Sequence, residues 1–475
     1  MALRDGLQRS TPESQGVDSA AISRLLDYFA EKELEIHSIM LLRNGKVIAE
    51  GWWDPYSADR PHMLFSLSKS FTSTAIGFAV QEGLLTVDDK VCDFFPDQLP
   101  EKVGPNLAAM RVRHLLSMST GHEEDTTGRV TSAPDGDWVK AFLSLDVERE
   151  PGTYFVYNTA ATYMLAAILH KLTGQTLIDY LTPRLFEPLG IEGATWETCP
   201  RGINTGGYGL NIKTADIAKF GQLYLQRGMW EGKQLLSPEW IEEATRKHID
   251  NGDDPNNDWN QGYGYQFWRC RHNVYRGDGA FGQFCIVASE KDLVVAITSG
   301  ANDMQGVMNG IWDIILPALS PAALPENEAE QKRLQARLAE LALPILPGEK
   351  LEKAAKFAGR YVFPANDLGL SSITLQFGSD ACEGNLELPY GKTPVTFGYG
   401  YNAEGVFPAP QGITPAYSSA TWEDDNTLVL LSRLVETPFA YTMTLKFAPG
   451  KVDLEVKANC GFGQSELPSL EGKLE

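Results

Sequence analysis

Alternation of apolar and polar side chains is clearest near the end of the chain. Tyr441, Met443, Leu445 and Phe447 alternate with Thr442, Thr444 and Lys446. After Pro449-Gly450, Val452, Leu454 and Val456 alternate with Asp453, Glu455 and Lys457. A period of two puts each set on one face of a strand, so these segments predict a hairpin with one buried face. Short strands of the same kind recur back to Phe357-Ala358-Gly359-Arg360-Tyr361. Residues 350–475 are therefore expected to form an all-β domain of their own, a small barrel or sandwich.

The rest of the chain mixes two periods. Ile39 to Leu42 and Val47 to Trp53 flank Asn44-Gly45, a tight-turn dipeptide, and predict a hairpin. A second hairpin is expected far downstream, from Phe284–Ala288 through Ser289–Asp292 to Leu293–Thr298. Between them lie helical patterns. One runs from Phe71 to Val80 and stops near Gly83, one covers Thr159 to Leu172, and one follows a Thr214 cap from Ala215 to Leu225. Strands at both ends with helices between imply an α+β domain over residues 1–320: an antiparallel sheet built from distant segments, flanked by helices, with an inserted helical region. Residues 321–349 are expected to be a linker. Leu334, Leu338 and Leu341 recur there at helical spacing, and Pro344 closes the helix.

Composition narrows the function classes. With 41 Lys+Arg against 62 Asp+Glu the net charge is -21, which disfavours nucleic acid and anionic membranes as partners. None of the six cysteines belongs to a Cys-x-x-Cys pair, so a zinc ribbon or thioredoxin-like site is not expected. The first ten residues lack an apolar core of secretory type, and the longest apolar stretch, near Met164 to Leu169, is too short to span a bilayer. A reduced, cytoplasmic location is the expectation.

Three stretches carry candidate chemistry. Ser66-Leu67-Ser68-Lys69 opens the first apolar helix, and residues three apart share a helix face. Lys69, if buried there, would lose its charge readily and could deprotonate Ser66 for nucleophilic attack. Alternatively, Ser66 is a helix cap and Lys69 a solvated side chain. Tyr157, in Pro151-Gly152-Thr153-Tyr154-Phe155-Val156-Tyr157, could shuttle a proton as phenolate or relay if Lys69 lay beside it; otherwise it is a core tyrosine. Arg276-Gly277-Asp278-Gly279-Ala280-Phe281-Gly282-Gln283 precedes the second hairpin. Its glycines permit close backbone approach, and the amides of Ala280 and Ser66 could hold an oxyanion; a bulge or tight turn explains the same residues.

Five stretches in order, Phe65–Phe71, Val112–Gly121, Pro151–Tyr157, Gly206-Gly207-Tyr208-Gly209-Leu210 and Gly279–Gln283, resemble the β-lactamase-like serine hydrolase family over residues 10–315. That family includes class C β-lactamases, penicillin-binding proteins of the carboxypeptidase type, D-aminopeptidases, family VIII esterases and nylon-oligomer hydrolases. The resemblance implies Ser66 as acylated nucleophile, Lys69 as base and Tyr157 as proton relay; Ala280, Gly279, Gly277 and Thr159 are expected around the oxyanion and substrate, and Gln283 either contacts substrate or braces the turn. It implies no metal and no organic cofactor.

Two departures from the family pattern bear on substrate. Thr159 stands where relatives often carry Asn after Tyr-x, and Gly277 stands where they carry Lys or His. Strand alternation aims Arg276 away from the face of position 277, and Asp278 adds negative charge. Small esters, amides or short peptides are therefore expected rather than β-lactams. The alternatives are a D-amino-acid or cyclic-peptide amidase with weak β-lactamase activity, or a non-catalytic scaffold. Oligomeric state is left open by the sequence.

Overall fold

A computed structural model describes residues 5–410, 412–463 and 468–475. Residues 1–4 of the opening stretch, Gln411, and residues 464–467 of the β domain lie outside the described residues. The chain divides into two compact units. Of the described residues, the first comprises those within 5–51, 63–299 and 303–339, and the second those within 52–62, 300–302 and 340–475.

The first unit is built on a seven-stranded sheet. Its strands are β1 (Gln8–Arg9), β2 (Ile36–Arg43), β3 (Lys46–Trp52), β4 (Trp268–Arg269), β5 (Tyr275–Gly279), β6 (Gln283–Ala288) and β7 (Leu293–Ser299), in the order β1-β3-β2-β7-β6-β5-β4. Both expected hairpins form and meet at β2–β7, with Met40 opposite Ala296. The sheet is antiparallel except at its edge, where β1 runs parallel to β3. Strands β2 and β7 are buried at every position, which is why Ile39–Leu42 and Leu293–Ile297 read as apolar runs rather than alternation.

Helices cover this sheet and fill the insertion between β3 and β4. The main ones are α1 (Ser19–Glu31), α2 (Ser68–Gln81), α3 (Thr159–Thr173), α4 (Thr214–Leu225) and α5 (Glu328–Ala339). Helix α2 ends as expected at Gly83, whose φ is 71°. Helix α4 crosses the sheet so closely that a Cβ on Gly221 would sit 2.6 Å from Val294 Cγ1. Two expectations need correction. Thr214 is the first residue of α4 and not its cap; that position is Lys213, whose amide donates to Asp216 Oδ2 at 3.3 Å. Helix α5 stops at Ala339, so Leu341 is outside it, and the Leu341 carbonyl instead accepts from the Asp54 amide.

The second unit is all-β. Its strands are β8 (Gly359–Val362), β9 (Ser372–Phe377), β10 (Ala381–Leu388), β11 (Gly391–Tyr399), β12 (Ala403–Ala409), β13 (Gly412–Trp422), β14 (Thr427–Leu434), β15 (Ala440–Ala448), β16 (Lys451–Ala458) and β17 (Leu470–Leu474). Nine of them close into a barrel when β11 pairs in parallel with β13 at Gly398–Ser419 and Tyr399–Ala420; β12 adds to the outside of β13. The predicted hairpin is β15–β16, with Leu445 facing Leu454 in the buried core.

Candidate active site

Ser66 sits in a single turn of 3₁₀ helix, Phe65–Leu67, that runs directly into α2. Phe65 just before it has φ +47°, a left-handed conformation that is strained for an aromatic residue. No side chain caps this turn or α2, so the helix-cap role for Ser66 is not realised. Its Oγ instead lies 2.9 Å from Lys69 Nζ.

Lys69 is 1% exposed, which excludes a solvated lysine. Its Nζ also lies 3.0 Å from Thr159 Oγ1 and 2.8 Å from the Gly207 carbonyl oxygen. A neutral amine has two N–H donors and one lone pair, and these three contacts match that set. Thr159 and Gly207 accept from Nζ; the contact with Ser66 Oγ has Nζ as donor in the ammonium form, and in the neutral form the lone pair is left for the Ser66 hydroxyl proton. Burial drives the Lys69 pKa from its ordinary 10.5 down to about 7, against the opposing pull of Asp125 and Asp278.

The Gly207 carbonyl is held in place by the Gly206–Leu210 motif. Thr72 Oγ1 donates to the Gly206 carbonyl at 2.8 Å, the Leu210 amide donates to Ser68 Oγ at 3.1 Å, and the Leu64 amide donates to the Leu210 carbonyl at 3.0 Å. Gly207 must be glycine, because a Cβ there would sit 2.5 Å from Thr159 Cγ2.

Tyr157 converges on the same point. Lys69 Nζ stands 4.7 Å from its ring centroid, and the Ser66 hydroxyl acts on the phenol, pulling its pKa down against the effects that raise it. Trp268 stacks on the ring at 5.2 Å and 25°, and Tyr263 meets it edge-on at 6.2 Å. The phenolate form is disfavoured: burial, then Asp278, push the Tyr157 pKa well above the ordinary 10. Lys69 supplies only part of a counter-charge, because with its pKa lowered to about 7 it gives up its proton readily near neutral pH. A relay through the intact phenol is the option that fits.

Strand β5 presses on the turn that carries Ser66. A Cβ on Gly279 would collide with the Leu64 carbonyl, so only glycine lets the backbone come this near. Ala280 follows at once. Among the described residues, neither the Ser66 nor the Ala280 amide donates to another backbone carbonyl. Phe281, with φ +64°, packs edge-on to Phe65 at 5.6 Å and ties the two turns together.

Of the residues expected on the substrate side, Gln283 takes its alternative bracing role and Gly277 lies elsewhere. Gln283 is 0% exposed; its Nε2 donates to the Ala280 and Ser299 carbonyls at 3.0 and 2.8 Å, so it braces the turn. Gly277 faces α2, where a Cβ would sit 2.5 Å from Ser70 Oγ and 2.6 Å from Leu67 Cδ1, leaving no room for substrate. Three participants carried no assigned role in the sequence. The Gly207 carbonyl leaves no side-chain signal, although its motif was visible. Trp268 and Asp125 lie outside every motif, and Asp125 fixes the start of α3 by accepting from the Thr159 amide at 3.2 Å. Among the described residues no cluster of His, Cys, Asp and Glu could hold a metal ion, and no helix is long and apolar enough to cross a membrane. All six cysteines are free thiols.

The beta-lactamase family profile matches residues 27–319, more than half of the chain. The chain belongs to the beta-lactamase family. It is similar to the 6-aminohexanoate-dimer hydrolase of Paenarthrobacter ureafaciens, 26% identical over 224 residues, covering 44% of this chain and 56% of that protein. It is also similar to the protein flp of Staphylococcus aureus strain MW2, 26% identical over 172 residues and 34% of each chain. The chain thus spans about half or less of the length of these two relatives. Among solved structures, the octameric penicillin-binding protein homologue from Pyrococcus abyssi superposes with a TM-score of 0.51 at 18% identity, covering 96% of this chain and 99% of that one. EstCE1, a hydrolase with promiscuous acyltransferase activity, gives 0.53 at 16% identity over 62% of this chain and 99% of that one. These structural likenesses speak for the beta-lactamase fold.

Proposed function

We propose that this beta-lactamase family member is a serine hydrolase that cleaves small esters or amides through an acyl-enzyme on Ser66. The observation that carries this reading is the Lys69 amine, buried, near neutral and 2.9 Å from a serine hydroxyl. Ser66 Oγ attacks the substrate carbonyl and its proton passes to Lys69 Nζ. The Ser66 and Ala280 amides receive the oxyanion. As the tetrahedral adduct collapses, the Tyr157 hydroxyl protonates the leaving alcohol or amine and is reprotonated from Lys69. Water then attacks the acyl ester, its proton returns along the same path, and the acid leaves with Ser66 restored. Thr159 holds Lys69 and, partly exposed, borders the substrate.

The charge distribution favours substrates without a carboxylate beside the scissile bond. Arg276 is 0% exposed and committed to Asp278, and Lys69 is buried and committed to Ser66, Thr159 and Gly207, so neither offers a free cation for such a group. The hydrolase relative acts, by its name, on a dimer of 6-aminohexanoate, an amino acid, which supports amides alongside esters. The test compares p-nitrophenyl acetate, nitrocefin and a D-amino-acid p-nitroanilide, with Ser66→Ala as blank. Ester or anilide turnover that falls at least about 10³-fold in the Ser66→Ala variant is expected. Turnover of nitrocefin alone overturns the substrate class, and failure of a fluorophosphonate to label Ser66 in folded protein returns the scaffold alternative.

A further inference from the structure

Two residues before Ala280, β5 carries a buried ion pair that the proposed chemistry does not use. Arg276 Nε donates to Asp278 Oδ2 at 2.9 Å, and Nη2 lies 2.9 Å from the same oxygen. The two side chains, two residues apart on one strand, share a face as alternation requires. The guanidinium has anchors of its own. Nη1 donates to the Asp258 carbonyl at 2.8 Å and to Cys270 Sγ at 3.0 Å, and the group lies over Trp259 at 4.5 Å and Trp268 at 5.6 Å. Trp268 is the ring stacked on Tyr157.

The charged and titratable groups that act on Lys69 and Tyr157 come from three elements. Strand β5 supplies Asp278 and Arg276, the segment before α3 supplies Asp125, and the loop ahead of β4 supplies Tyr263. Asp278 is the one buried carboxylate among them, at 6% exposure. Left alone in a medium of low dielectric, it would hold a proton on Lys69 and cost the site its base. A buried carboxylate without a partner is also expensive in itself. Arg276 answers both problems from a position fixed by the Asp258 carbonyl and two indole faces.

We propose that Arg276 is a positioning residue for acyl transfer: by masking Asp278 in a buried ion pair, it keeps an uncompensated carboxylate from acting on the Lys69–Tyr157 pair. This rests on Ser66 being the nucleophile. The pair makes the strand electrically neutral at the point where it enters the site. Because Arg276 has other partners, it stays in place when Asp278 loses its charge, so each charge can be removed in turn.

The experiment measures the rate of fluorophosphonate labelling of Ser66 against pH in full-length protein, for wild type, Asp278→Asn, Arg276→Gln and the double variant. The wild-type rate should fall as pH drops through about 7, where Lys69 takes up its proton. Asp278→Asn leaves Arg276 uncompensated and should lower that midpoint by about one pH unit; Arg276→Gln bares Asp278 and should raise it by about the same. The double variant should return to within about 0.3 unit of wild type, a restoration that lost packing cannot produce. If Arg276→Gln does not fold, Asp278→Asn and the double variant decide the matter. Variants that keep the wild-type midpoint overturn the proposal. A wild type that never labels removes the nucleophile reading itself, and the proposal with it.

Discussion

Lys69 is held in a state that folding does not favour. In the unfolded chain it binds a proton up to about pH 10.5, whereas in the native site it releases that proton near pH 7. Between those values the unfolded state binds more protons than the native one, so this group makes stability rise with pH. Its penalty is fully present below about pH 7 and fades towards pH 10.5. The measurement is a pair of melting curves against pH for wild type and Lys69→Met. Whatever their offset at pH 7, wild type should gain on the variant steadily up to about pH 10; a constant offset would show that Lys69 is charged in the native site. The Ser66–Lys69 pair was legible because a spacing of three on a helix is a geometric statement. Its third partner was not, because a carbonyl such as that of Gly207 is supplied by every residue type and is selected only by the fold around it. Thr159 was visible as a position, yet its bond to Lys69 depends on α3 and α2 meeting, which no local pattern states.

At the scale of elements, the site is a junction between the start of α2 and the end of β5, and glycine decides how near they come. Gly279 is the contact where an added methyl meets backbone rather than a movable side chain. Gly279→Ala should therefore cost about 1–3 kcal/mol by overpacking and lower kcat/KM at least tenfold, since relief requires the Ala280 amide to move away from Ser66. Chemical denaturation and steady-state kinetics on the same preparation test both parts. Wild-type kinetics in a destabilised Gly279→Ala protein would place the oxyanion amide elsewhere. The sequence marked this strand as glycine-rich but could not say what approached it. Gly277 admits α2 and Gly279 admits the Leu64 carbonyl, so neither opens space for a ligand. Gln283 stayed open between contacting substrate and bracing the turn for a related reason. A buried glutamine bracing two carbonyls and a glutamine touching substrate have the same signature in a sequence.

Over the whole molecule, the pattern of two periods foretold a helix-and-sheet portion followed by β strands, because strand alternation survives wherever one face is buried. What it concealed was long-range sorting. Residues 52–62 group with the second unit, where Trp53 and Tyr56 pack with Leu343 and Val435, and proximity in sequence carries no trace of that. Charge is the other property that only the whole chain shows. The 62 carboxylates outnumber the 41 Lys and Arg side chains, which leaves a net -21 whatever the pairing. Exposed ion pairs such as Lys332–Glu328 and Lys446–Glu455 contribute about 0–1 kcal/mol each, and added salt weakens them. Salt also screens repulsion among the excess carboxylates, which acts over the long Debye length of about 30 Å at 0.01 M and shrinks to about 8 Å at 0.15 M. The repulsion involves every unpaired charge with all the others, whereas each exposed pair involves two neighbours. Repulsion should therefore dominate the response. Tm should rise by a few degrees between 10 and 200 mM KCl and then level off. A Tm that falls over that range would mean that local pairs outweigh the net charge.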